Sequence, residues 1–333
     1  MAQPHDKDGL SDMTSPSKLS IDAVSALIRE TDQGAPLADE RVAELTGISG
    51  LKTVGLLQRL VRMFEGDDSA CYLEVGVFQG LTLISSSIAA PTLPCFGIDN
   101  FATLDPDGMN IDIVQRRLQK YDVKNAQLIN EDFEVALQTL GARLDGRKVA
   151  VYFVDGPHDY RSQLICLMLI KPFLHERAVI IVDDANYPDV RWSTRDFLLG
   201  HNNFKMLFET YSPAHPANMS DDIKTGHELG WLNGINVMVR DPEGHLDEML
   251  PPTAPRERDI YLNEWLAHRL RLADLAPEAL VLADKVCRAD QQGEGAARKV
   301  LQEKYQDNAT YFDSLFEDRN VFSDDLPSSR LNG

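Results

Sequence analysis

The chain has 333 residues, enough for one large domain with additions or for two small ones. Its 33 Lys and Arg face 52 Asp and Glu, a formal net charge of −19. Such a surface repels nucleic acid and anionic lipid at long range, so neither is expected as a partner. Small neutral or cationic ligands remain compatible with it.

No apolar run approaches the roughly eighteen residues of a membrane span. The N-terminus lacks the basic-then-apolar layout of a signal peptide. Cys71, Cys95 and Cys166 lie in or beside apolar runs, and neither they nor Cys287 show CxxC spacing. Reduced core thiols and a cytoplasmic location are the expectation.

Residues 1–17 are polar and read as a disordered tail. Apolar residues recur at helical spacing over 20–29, and 37–45 reads as a second helix. Gly47 to Gly50 is a break before a third helix over 51–64. From Cys71 the pattern alternates. Strands are expected at 71–75, 95–99, 127–129, 149–154, 178–182, 204–211 and 232–240. Helices are expected near 81–90, 111–121, 133–140, 162–174 and 190–199. Continuous apolar strands separated by helices imply a parallel sheet covered on both faces. The polar link from Ser212 to Gly230, with His215 and His227, shows no helix-length pattern, so an antiparallel, hairpin-like end to the sheet is expected. After Asp241 come the Pro251, Pro252 and Pro255 patch, helical stretches over 256–289 (broken at Pro277) and 296–316, and a tail over 324–333.

In an open parallel sheet, ligands bind at the carboxyl ends of the strands. The first strand runs into Glu74-x-Gly76-x-x-x-Gly80, a tight turn that opens a helix. A dinucleotide turn would carry Gly-x-Gly-x-x-Gly, and this one does not. Glu74, an acid inside an apolar strand and near the turn, suits a cationic ligand instead. Acids follow four further strands: Asp99, Glu131-Asp132-Phe133, Asp155-Gly-Pro-His158-Asp-Tyr160, and Asp183-Asp184. Asp99 suits the two hydroxyls of a ribose, or a turn. Asp132 and Phe133 suit an adenine, or the start of a helix. Asp155, Asp183 and Asp184 would repel one another unless a hard divalent cation joined them, with Mg²⁺ preferred and Ca²⁺ or Mn²⁺ compatible. His158 is read as a general base, a substrate contact, a partner of the metal's ligands or a structural histidine.

The ordered set Glu74-x-Gly76-x-x-x-Gly80, Asp99, Asp155-Gly-x-His158-x-Tyr160 and Asp183-Asp184 resembles the class I S-adenosylmethionine-dependent methyltransferases over residues 51–241. Within them it is similar to the metal-dependent O-methyltransferases of sugars and natural products. The resemblance implies a Rossmann-like, mostly parallel sheet of seven strands with helices on both faces. It implies S-adenosyl-L-methionine held by Glu74, Gly76, Gly80, Asp99, Asp132 and Phe133. It further implies Mg²⁺, or another divalent cation, on Asp155, Asp183 and Asp184, with Asp155 or His158 taking the proton of a hydroxylated small-molecule acceptor.

The organisation expected is a tail (1–17), a helical segment (18–66), the methyltransferase domain (67–242) and a helical extension (243–333) able to mediate homo-oligomerisation. Two alternatives stand beside this reading. One is a metal-independent N- or O-methyltransferase; the other is a non-catalytic binding or assembly protein on the same fold.

Overall fold

The structure is a computed structural model and describes residues 16–213, 219–253, 264–317 and 329–332. The expected tail over 1–17 lies outside them except for residues 16 and 17, which begin the first helix. His215, Pro255 and residues 256–263 also lie outside.

Helices α1 (Pro16–Gln33) and α2 (Leu51–Met63) precede strand β1 (Ala70–Val75). Then come α3 (Leu81–Ala89), β2 (Cys95–Ile98), α4 (Asn110–Lys120), β3 (Ala126–Ile129), α5 (Phe133–Gln138) and β4 (Lys148–Val154). They are followed by α6 (Tyr160–Ile170), β5 (Leu174–Asp183), α7 (Pro188–Gly200), β6 (Phe204–Thr210), α8 (Asp221–Glu228) and β7 (Ile235–Arg240). The chain ends in α9 (Glu264–Cys287), α10 (Gln291–Glu317) and β8 (Ser329–Leu331).

The strands form one sheet in the order β3-β2-β1-β4-β5-β7-β6-β8. β1 to β5 are parallel, and β7, β6 and β8 add on in antiparallel pairs. The Rossmann-like expectation holds, with eight strands in place of seven. Strand side chains alternate between the two faces. Tyr72 therefore joins Ile28, Leu57 and Leu60 of α1 and α2 in one core, while Leu73 and Val75 join Leu137, Leu167 and Phe197 in the other.

Four sequence expectations change. Residues 37–45 make only a short 3-10 turn at Glu40–Val42, capped by Asp39; between Pro36 and Gly47 a nucleus has little room to propagate. The polar link before β7 does contain a helix, α8, whose sequence lacks the apolar period that would reveal it. α9 runs through Pro277 without breaking. Part of the expected tail is β8, which pairs with β6 at Phe208, Glu209 and Thr210.

Strand register positions the site. Val75 pairs with Ile98 and with Val154, Ile98 pairs with Ile129, and Val154 pairs with Val182. The residues that follow, Gly76, Asp99, Asn130, Asp155 and Asp183, therefore emerge level along one rim. The rim is centred on β1 and β4, where the strand order reverses and an open α/β sheet leaves a crevice.

Candidate active site

Gly76 sits at φ +92°, and a Cβ there would fall 1.8 Å from the Asp155 carbonyl oxygen. Only glycine lets the ends of β1 and β4 come this close. Gly80, at φ +84°, is the N-cap of α3.

Asp99 braces this turn. Its Oδ2 accepts the Val77 and Phe78 amides at 2.9 and 2.8 Å, and its Oδ1 accepts the Phe101 amide at 2.7 Å. Asp132 caps α5, accepting the amides of Glu134 and Val135. Both local roles are the turn and cap uses open to an aspartate at such positions. Gly76, Asp99, Asp132 and Phe133 nevertheless line one cavity of about 340 Å³, together with Phe78, Asp155 and His158. Gly80 shapes the turn and is not among its lining residues.

Glu74 is corrected. Its side chain is fully buried and takes no part in lining the cavity. The Tyr72 hydroxyl donates to its Oε2 at 2.5 Å. Burial pushes its pKa up to about 8, against partial relief from Tyr72 and Thr82. Burial thus favours its protonated form.

At the other end of the rim the acids converge. Carboxylate oxygens of Asp155 and Asp184 and a ring nitrogen of His158 all lie within 4.8 Å of one another. His158 Nε2 is 2.7 Å from Asp184 Oδ2, and the imidazole stacks on Tyr187 with ring centroids 4.8 Å apart. The other oxygen of Asp184 accepts from Asn233 Nδ2 at 2.6 Å. Asp183 does not join this set among the described residues. It lies behind Asp155, bridged to it by Ser49, whose Oγ is 3.3 Å from Asp155 Oδ2 and 3.5 Å from Asp183 Oδ2. The backbone explains the split. Asp183 ends β5 with its side chain buried, whereas Asp184 turns at φ +55° and projects toward His158.

Burial raises the pKa of Asp155 well above the carboxylate range, and Asp183, Asp184 and Glu74 add to it. Burial, then Asp184, does the same to Asp183. For His158 burial opposes the charge, but the Asp184 carboxylate outweighs it and raises the pKa. Like charges packed this closely invite a compensating cation. The donor set, two carboxylates and an imidazole with a third carboxylate behind, fits a divalent ion.

The loop after β5 is held from several sides. Ala185 and Asn186 donate their amides to the Gly234 and Asn233 carbonyls, each at 3.1 Å. The buried Arg191 reaches the Ala185 and Asn186 carbonyls and, at 3.0 Å, the Pro252 carbonyl. Ser49, Tyr187, Arg191 and Asn233 were not singled out from the sequence. The Gly47–Gly50 break marked a loop, but nothing in its spacing places Ser49 over strand ends more than a hundred positions away.

A second cavity, of about 940 Å³, adjoins the first. Both are lined by Gly156, Pro157, His158 and Asp184, so the cluster stands where the two meet.

Residues 73–185 match a family model described as a methyltransferase domain. The matched stretch runs from β1 past the end of β5 and includes every acid of the rim. The chain thus carries a methyltransferase domain, as its motifs imply. Among curated proteins nothing matches. Similar solved structures include the O-methyltransferase TomG from Streptomyces achromogenes, involved in tomaymycin synthesis. It shares 16% identity and a TM-score of 0.44, over 66% of this chain and 89% of that one. A putative caffeoyl-CoA O-methyltransferase from Staphylococcus aureus shares 14% identity and a TM-score of 0.41, over 65% and 91%. CalS11, a calicheamicin methyltransferase, shares 14% and 0.41, over 72% and 99%. All three likenesses are distant.

Proposed function

We propose that the protein transfers a methyl group from S-adenosylmethionine to a hydroxyl of a small molecule, a sugar or another natural product, with the help of a divalent cation. The observation that carries this is the meeting of Asp155, His158 and Asp184 between two cavities, one of which abuts the Gly76 turn.

S-adenosylmethionine, when bound, supplies an electrophilic methyl carbon whose bond to sulfur breaks with the electron pair leaving on sulfur. The smaller cavity suits it. Asp99 would meet the ribose while bracing the turn, and Asp132 and Phe133 would meet the adenine. Asp155 and Asp184 would hold the cation, Mg²⁺ or, given the neighbouring imidazole, Mn²⁺. When bound, the cation supplies Lewis-acid polarisation of the acceptor oxygen. Asp183 stands in reserve of charge behind Asp155, tied to it by Ser49. His158 takes the hydroxyl proton, a contribution of roughly 10²–10⁴-fold in rate.

The buried free thiols Cys71, Cys95 and Cys166 support a reducing, cytoplasmic setting. Exposed Leu280, Val281 and Val286 on α9, with Val300 and Tyr305 on α10, support self-association through the helical extension. Sedimentation of the full chain as a monomer would overturn that.

A second reading rests on the His158–Asp184 pair, with His158 taking the acceptor proton without a cation. Labelled S-adenosylmethionine, offered with a panel of hydroxylated metabolites across a titration of Mg²⁺ and in EDTA, decides between the two. Asp184→Ala is expected to lose all metal-stimulated turnover. Full activity of that variant in EDTA would sink the metal reading, and no transfer by the unaltered protein under any condition would sink both.

A further inference from the structure

A nucleoside-bearing donor accounts for the smaller cavity and leaves the larger to the acceptor. That larger chamber lies between residues 37–54 and the stretch from α8 to the start of β7. Its lining is predominantly apolar, with Leu45, Ile48, Leu51, Leu104, Leu229 and Leu232 among its walls.

Three of these side chains are out in water: Ile48 is 55% exposed, Leu104 70% and Leu229 56%. A single exposed leucine is ordinary. Three on separate segments, 47–50, the loop after β2 and the end of α8, line this one chamber and form a patch that a ligand would cover, with Ile48 and Leu104 also bordering the donor cavity. The charged groups in the wall away from the cluster are Lys224 and Glu228, which pair with each other at 3.9 Å. Among the described residues that leaves no net cation there to meet a phosphate on the acceptor. Ser49, His158, Asp184 and Asn233 gather polar groups at the end next to the donor cavity.

A free sugar carries hydroxyls around its whole ring, and those left unpaired against apolar walls are costly. The chamber fits a molecule with one polar end. We propose that the acceptor is an amphiphile. Its hydroxyl-bearing end meets His158 and Asp184, and an aromatic or aliphatic body fills the chamber along Leu45, Leu51, Leu229 and Leu232. This rests on the methyltransferase reading, because that reading assigns the chamber to the acceptor.

The test is calorimetric titration of the full chain, with Mg²⁺ present, by 4-alkylcatechols whose chains grow from one to eight carbons, with a monosaccharide as comparator. Affinity is expected to rise about fourfold per methylene until the chamber is filled. Leu229→Gln, at an exposed position that costs little in folding, is expected to flatten that rise while S-adenosylmethionine binds as before. Affinity independent of chain length, or a monosaccharide that binds as tightly as the longest catechol, would overturn the proposal. S-adenosylmethionine is titrated separately into the same protein. Its failure to bind would overturn the methyltransferase reading, and the catechol series would still decide what the chamber holds.

Discussion

His158 Nε2 lies 2.7 Å from Asp184 Oδ2, and the opposite oxygen of that carboxylate is held by Asn233 at 2.6 Å. The imidazole is thus aimed from one side, and Tyr187 stacks against its face. Ligand and base make different predictions for this residue. With His158 as base, His158→Gln lowers kcat by about 10²–10³-fold and changes Mg²⁺ affinity little. Paired rate measurements and Mg²⁺ titrations check this. A loss of affinity in step with the loss of rate would make His158 a ligand.

Ser49 brings one hydroxyl to two carboxylates whose pKa values are both raised. Its contribution is to hold Asp155 in place against Asp183. Ser49→Ala is expected to weaken Mg²⁺ binding about tenfold, the lower end for residues that orient ligands. Turnover at saturating Mg²⁺ should return close to that of the unaltered protein. Unchanged affinity by calorimetry would remove Ser49 from the site.

Glu74 has a pKa raised from 4.5 to about 8 in the folded chain, chiefly by burial. A raised acid favours the folded state while protonated. Its contribution is therefore full below about pH 4.5 and is lost as pH rises through about 8. Glu74→Gln keeps an acceptor for Tyr72 and removes the titration. The variant should match the parent near pH 5 and exceed it near pH 9 by on the order of 2 kcal/mol, since each tenfold change in an acid constant is worth about 1.4 kcal/mol and relaxation around the ionised group relieves part of the cost. Urea midpoints at the two pH values measure it. Asp155 and Asp183 shift in the same direction, so the difference between variant and parent is the quantity to read.

Arg330 of β8 pairs with Glu209, whose side chain is fully buried on β6, and Tyr211 donates to the same carboxylate at 2.7 Å. Arg330→Ala leaves a buried acid with one partner fewer and should cost about 2 kcal/mol. Chemical denaturation measures the cost. Hydrogen exchange should show the amides of β6 that face β8 losing protection while those facing β7 keep theirs.

Much of this was legible in the chain because it depends on neighbours in sequence. The apolar runs from Cys71 to Val75 and from Val149 to Val154 announce buried parallel strands, and an aspartate directly after such a run must emerge at the strand's end. Asp155 and Asp184 could be placed on one rim for that reason alone. The same logic places Glu74 only in part. An acid beside a glycine turn looks available to a ligand, and strand alternation does not say that Tyr72 and Thr82 will enclose it. β8 was hidden because three residues carry no period.

The sequence by itself determined the α/β class, the level line of strand-end acids and the methyltransferase motifs, all consequences of local pattern and of the fixed geometry of parallel strands. Only the tertiary structure decided which acids meet. A one-residue step in the backbone buries Asp183 and turns Asp184 out to His158, and a loop packed across the rim brings Ser49 between Asp155 and Asp183. It likewise decided that an apolar chamber opens beside them. Its walls come from residues 37–54, the loop after β2 and the end of α8, segments far apart in the chain that meet only when the sheet and its helices close.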